Sequence, residues 1–222
     1  PYSDAVLHSA LKELLGPHAE YRSRQQKVMI DIAVNSITRH SYVGIPCGHG
    51  KSLSWFVPTM ASYLAGRHVG LRIVILPYKF LLGHMVHQAR SMFGLLADRL
   101  RVEFIDSSDM EEQTLLPILQ GDNIPSILFI NLDGASTLLR LHMTRLQKLA
   151  NTSTLKRVYV DEFQQLISEF GFRSAYQSLL ELGRIGCPVM CLSGSMPLSV
   201  AMSLMSYCRL VTGVPANAID IV

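Results

Sequence analysis

Val43-Gly44-Ile45-Pro46-Cys47-Gly48-His49-Gly50-Lys51-Ser52 is the stretch on which the reading of this chain turns. An apolar run from Tyr42 to Ile45 enters a glycine-rich turn, the turn ends in Lys-Ser, and Leu53, Phe56, Val57 and Met60 follow at helical spacing. Strand, glycine-rich loop and helix in that order are the context a phosphate-binding loop requires. Gly48 and Gly50 keep side chains out of the turn, so backbone N–H groups can curl around phosphate oxygens. A helix starting near Lys51 aims the positive end of its dipole at the same anion. Lys51 would reach the β- and γ-phosphates of a nucleotide, and the Ser52 hydroxyl would ligate magnesium. Cys47 and His49 complete the loop. Ile45 stands where the usual motif begins with Gly. The alternative is a chance Gly-Lys-Ser on a surface loop, and the downstream sequence weighs against it.

A second apolar run, Leu155 to Val160, delivers Asp161-Glu162-Phe163-Gln164. Two acids at the C-terminal end of a strand make the other half of a nucleotide-hydrolysing site. Asp161 would hold Mg²⁺ through water, and Glu162 would orient and deprotonate the attacking water. A lone Asp-Glu can also be an acidic helix start favoured by the dipole; the phosphate loop upstream and the apolar strand directly before it favour chemistry. A third strand, Pro188 to Leu192, ends in Ser193-Gly194-Ser195-Met196-Pro197. The hydroxyls of Ser193 and Ser195 would lie beside the acidic pair and relay nucleotide state, although the stretch alone also reads as a Ser-Gly turn capping the next helix. Ahead of the loop, Tyr21-Arg22-Ser23-Arg24-Gln25 places a glutamine amide, donor and acceptor together, to match the N6 and N7 edge of adenine.

The 222 residues carry 49% hydrophobic and 17% charged side chains, enough for a large core and contrary to a disordered chain. The net charge of +3 permits nucleic-acid binding without indicating it. No apolar run is of membrane-spanning length. Cys47, Cys187, Cys191 and Cys208 form no Cys-x-x-Cys and read as free thiols in a reducing compartment, nucleus or cytoplasm. The remaining periodicities predict helices over 3–15, from about Val28 to Ile37, after the loop to about Gly66, and over 80–93, 109–120, 135–150 and 163–182. Pro58 is expected to kink or end the first segment of the helix after the loop. Strands are expected over 70–77, 102–105 and 124–132. Alternation of strands and helices predicts an α/β fold, a mostly parallel sheet with helices on both faces and ligands beyond the strands' C-terminal ends.

The order of these motifs resembles the first RecA-like domain of a superfamily 2 helicase of the DEAD/DEAH-box and RecQ-like kind, nearest to the RecQ-like group. Tyr21 to Gln25 resembles that group's F-R-x-x-Q stretch, which implies adenine contacts from Arg22 and Gln25. Pro46 to Ser52 resembles its phosphate loop, Ile75-Leu76-Pro77 with Leu81-Leu82 its motif Ia, Asp161-Glu162 the start of its acidic box, and Ser193-Gly194-Ser195 its motif III. The likeness runs from about Tyr21 to Pro197. Phe163-Gln164 departs from Ala-His or Ala-Asp in the box, and Phe129 to Asp133 lacks Thr-Pro-Glu. The resemblance implies a P-loop NTPase that takes ATP and Mg²⁺, with Lys51, Asp161 and Glu162 in the chemistry and single-stranded or duplex nucleic acid, DNA rather than RNA, as partner. Residues 1–20 would be a helical lead-in and 21–222 the RecA-like domain 1, with a second RecA-like domain, which this stretch lacks, elsewhere in a longer parent chain. A degenerate nucleotide-binding module and a P-loop translocase that is not a helicase are the alternatives.

Overall fold

The computed structural model describes residues 1–36, 40–106, 118–119, 124–170, 174–210 and 217–219. Among the described residues seven strands, β1 (Ser41–Gly44), β2 (Leu71–Leu76), β3 (Val102–Ile105), β4 (Ile127–Asn131), β5 (Leu155–Val160), β6 (Val189–Ser193) and β7 (Asn217–Ile219), form one sheet in the order β3-β4-β2-β5-β6-β1-β7. Every pairing is parallel. Such a sheet must be covered on both faces, which is why its strands are nearly continuous Val, Ile and Leu.

Strand residues divide alternately between two cores. Ile73, Ile75, Leu128, Ile130, Val158 and Val160 face one side. Val74, Leu76, Ile127, Phe129, Tyr159 and Leu192 face the other. The first core is closed by α5 (Leu132–Asn151), a short α6 (Gln165–Phe170), a 3-10 helix (Ser174–Ile185) and α7 (Leu198–Tyr207). The second is closed by α1 (Asp4–Leu15), α2 (Arg24–Asn35), α3 (Leu53–Leu64) and α4 (Phe80–Phe93).

The helix starts follow capping chemistry. The Ser3 and Ser23 side chains accept from Val6 N–H and Gln26 N–H, and the Asn131 side chain from Gly134 N–H. At the heart of the second core Trp55, 1% exposed, meets Phe56, Phe129 and Tyr159 edge-on.

Two expectations change. Pro58 neither ends nor divides α3, which runs from Leu53 to Leu64 with Pro58 buried inside. The carbonyl of Pro58 accepts from the Ser62 hydroxyl and the Arg72 guanidinium. The single helix expected over 163–182 is a turn at 161–164, then α6, then the 3-10 helix ending at Ile185. Most of the helix expected over 109–120 lies outside the described residues.

Candidate nucleotide site

β1, β5 and β6 end together at one edge of the sheet, with β6 between the other two. Backbone bonds lock the three ends: Ile45 N–H donates to Ser193 O at 2.9 Å and Phe163 N–H to Leu192 O at 2.8 Å. The phosphate loop and the acidic turn therefore share a boundary, the end of β6.

The loop after β1 turns on two glycines in the left-handed region, Gly48 at φ 81° and Gly50 at φ 76°. Ile45, in place of the motif's first Gly, is 1% exposed and belongs to the core, so this part of the loop is anchored by packing. The N-terminal turn of α3 follows directly. Ser52 precedes it and makes no side-chain capping bond, so its hydroxyl is not committed to the helix end.

Lys51 lies inside the site with its side chain 10% exposed. Its Nζ donates to Glu162 Oε1 at 2.5 Å and stands 3.8 Å from Asp161 Oδ1. Loop and acidic turn are 111 residues apart in sequence at this contact. The Cys47 thiol reaches the same Glu162 oxygen at 3.7 Å. Glu162 itself adopts φ 47°, a left-handed backbone for a non-glycine residue. That costs on the order of 1–3 kcal/mol and persists only where the surroundings demand it.

From Glu162 the contacts continue. Gln164 Nε2 donates to Glu162 Oε2 at 2.6 Å, and Gln164 Oε1 accepts from the Ser193 hydroxyl at 2.6 Å. Ser193 is wholly buried, and its Oγ accepts from the N–H groups of Ser195 and Met196. Lys51, Glu162, Gln164 and Ser193 thus form one chain of hydrogen bonds from the loop to the end of β6. Ser195 joins it through its backbone, and its side chain is exposed. Gly194 lies against the loop: a Cβ there would stand 3.2 Å from Cys47 Sγ. Gln164, which the sequence showed only as a departure from a family pattern, is the bridge.

Charges in the site pull in opposite directions. Burial lifts the Asp161 carboxyl above its ordinary value, and the charge of Lys51 only partly opposes this. Burial also works to raise Glu162, but the bonds from Lys51 and Gln164 outweigh it and hold that carboxyl below its ordinary value. Lys51 is pulled down by burial and more than restored by Glu162 and Asp161, ending above its ordinary value.

Gln26 is the residue that sequence reading passed over. It is 1% exposed; its Oε1 accepts from Arg22 N–H at 2.9 Å and its Nε2 donates to His49 O at 3.0 Å. A Cβ on Gly50 would lie 2.5 Å from Gln26 Nε2, so loop and amide are fitted to each other. Arg22 is exposed and touches Gly48 O at 3.4 Å. Gln25, expected at adenine, is partly buried on the first turn of α2. The signal for Gln26 was the Ser23 cap, which fixes the turn of α2 on which Gln26 faces inward.

A parallel sheet, a glycine loop at a helix start and a lysine among carboxylates define a P-loop nucleotide-binding domain of the RecA-like kind. Residues 22–204 match the family model of the DEAD/DEAH box helicases, and the chain belongs to that family. Solved structures agree on the fold. The chain is similar to the DUF1998 helicase MrfA bound to DNA and AMPPNP (16% identity, TM-score 0.68, 99% of this chain and 30% of that one). It is also similar to the DEAD-box helicase Mss116 bound to ssRNA and UDP-BeF (15%, 0.61, 99% and 43%). A hypothetical ATP-dependent RNA helicase from Sulfolobus tokodaii matches at 15% identity and TM-score 0.57, over 98% of this chain and 57% of that one. The chain thus spans about a third of the length of MrfA. No curated protein matches it.

Proposed function

We propose that this chain is the ATP-binding motor domain, the first RecA-like domain, of an ATP-dependent helicase of the RecQ-like kind that acts on DNA, with residues 1–20 as its helical lead-in and 21–222 as the domain. The observation that carries the reading is the continuous contact from Lys51 through Glu162 and Gln164 to Ser193. It joins the group that would hold phosphate, the base that would activate water and the strand end that would report on both.

In this arrangement Lys51 occupies Glu162, and a carboxylate held below its ordinary value is a weak base. When Lys51 turns to nucleotide phosphate, Glu162 loses its strongest partner and its proton affinity rises. Gln164 senses the change through its Nε2 bond to Glu162 Oε2 and passes it to Ser193, whose hydroxyl also holds the turn at 195–196. Gly48 and Gly50 offer backbone N–H groups to phosphate, Cys47 and His49 line the loop, with the His49 N–H donating to Pro46 O, and Arg22 and Gln25 serve the adenine side. Gln26 braces the loop from beneath.

Ser52 and Asp161 suit magnesium, because a hydroxyl and a carboxylate are hard oxygen donors and Mg²⁺ takes few protein ligands while keeping several waters. Bound there, Mg²⁺ would neutralise charge on the transferred phosphoryl group. For nucleic acid, Tyr78 and Phe80 stack at 5.5 Å, 10° from parallel, just past the end of β2. They are 43% and 75% exposed, a ready face for unstacked bases. The arginines that complete such a site would come from a second RecA-like domain of a longer parent chain. Free cysteines at 47, 187, 191 and 208 accord with a reducing setting, nucleus or cytoplasm.

Equilibrium titration with a fluorescent ATP analogue tests the site. Binding that needs Mg²⁺, weakens at least about tenfold in Lys51→Ala and survives in Glu162→Gln is the expected pattern. Equal binding in Lys51→Ala would remove the loop from its role.

A further inference from the structure

At the opposite edge of the sheet, where β2, β5 and β6 begin, a cavity of about 500 Å³ opens beneath α2 and α3. Its lining is cationic: Arg67, Arg72, Lys156 and Arg157, with His68 and Tyr2 beside them. Among the described residues no Asp or Glu lines it. Arg72 and Arg157 are register partners on adjacent strands, 5% and 3% exposed. Like charges facing each other across a ladder repel, and a buried charge without a counter-ion is costly.

Arg72 is held by neutral acceptors, its Nη1 on Val69 O and its Nη2 on Pro58 O and the Ser62 hydroxyl. Arg157 Nη2 donates to Ser36 O, while Nη1 is buried with no partner among the described residues. Burial lowers the proton affinity of Arg72, Arg157 and Lys156, and Arg72 lowers Lys156 further. A guanidinium keeps its charge regardless. The fold therefore maintains a buried positive centre that nothing described in the chain neutralises.

We propose that this cavity is a second anion site, which takes a small phosphate-bearing ligand between Arg72, Lys156 and Arg157. The volume suits a small molecule. Two guanidinium groups and an ammonium line the one cavity, Arg72 from β2 and Lys156 and Arg157 from β5, so a polyvalent oxyanion with several acceptors matches them better than a single carboxylate. The site lies away from the phosphate loop and depends on none of its residues.

The test uses inorganic pyrophosphate and the Lys51→Ala protein, in which the loop is silenced. Calorimetric titration should show one equivalent bound, and thermal unfolding should shift upward with ligand. Adding Arg157→Met should abolish both effects without lowering the ligand-free melting temperature, because it removes an unpaired buried charge. Adding Lys156→Gln, at the rim, should weaken binding about tenfold or more and decides the matter should Arg157→Met not fold. No binding to Lys51→Ala, or undiminished binding in Lys156→Gln, would overturn the proposal. So would tighter binding of citrate than of pyrophosphate, which would assign the cavity to carboxylates.

Discussion

Glu162 combines three properties in one residue: a left-handed backbone, a bond to Lys51 and a bond to the amide of Gln164. If it activates water, Glu162→Gln should retain nucleotide and slow turnover about 10²–10⁴-fold, as read by phosphate release; unchanged turnover would take it out of the chemistry. His40 offers a separate test through pH. Its Nδ1 accepts from Val189 N–H, and burial, then Arg157, lowers its proton affinity from the ordinary value of 6.5. The folded state therefore resists protonation that the unfolded chain accepts. Stability from this group should be complete above about pH 6.5 and decline as pH falls through the folded value. Urea unfolding between about pH 8 and pH 5 should show that slope in the parent protein and a shallower one in His40→Gln. At this scale the sequence was readable where motif order alone implies proximity, as for Lys51, Asp161 and Glu162, which meet in the structure. It was silent on Gln26 and Gln164, because which of two adjacent glutamines faces inward, and how far an amide reaches, depends on helix phase and on strands remote in sequence. The paired arginines at 72 and 157 were hidden for the same reason: near the start of a strand an Arg reads as a solvent-facing end.

Elements carry the site by their ends, and α3 is the clearest case. Its first turn closes the phosphate loop while Trp55 and Phe56 drive into the core, so loop and packing are inseparable. Trp55→Ala should cost about 3–5 kcal/mol in chemical denaturation. Gly50→Ala should instead spare most stability and damage nucleotide binding, because a Cβ at φ 76° both strains the turn and displaces Gln26. Gln164→Ala separates communication from chemistry: basal turnover should survive, since Lys51, Asp161 and Glu162 are all retained, and stimulation by nucleic acid should fall. Strand positions were legible from apolar runs, with β3 and α4 at the expected residues. The 3-10 stretch at 174–185 was not, because its apolar residues recur at spacings an α-helix would share and only hydrogen-bond geometry tells them apart.

Over the whole molecule, the strand order does the positioning. Because β6 lies between β5 and β1, one strand end touches both the phosphate loop and the acidic turn, and both are bonded to it, at Ser193 O and Leu192 O. Alternating strands and helices foretold the parallel sheet, but no sequence period encodes which strand lies next to which. The central claim is that this arrangement is the motor end of a nucleic-acid helicase. The measurement that tests it is ATP hydrolysis by the full-length protein with single-stranded DNA, with RNA and with neither, beside a Glu162→Gln control. Stimulation by DNA that vanishes in the control is the predicted result; no turnover with either polymer, despite measurable ATP binding, would contradict the account and leave a nucleotide-binding switch.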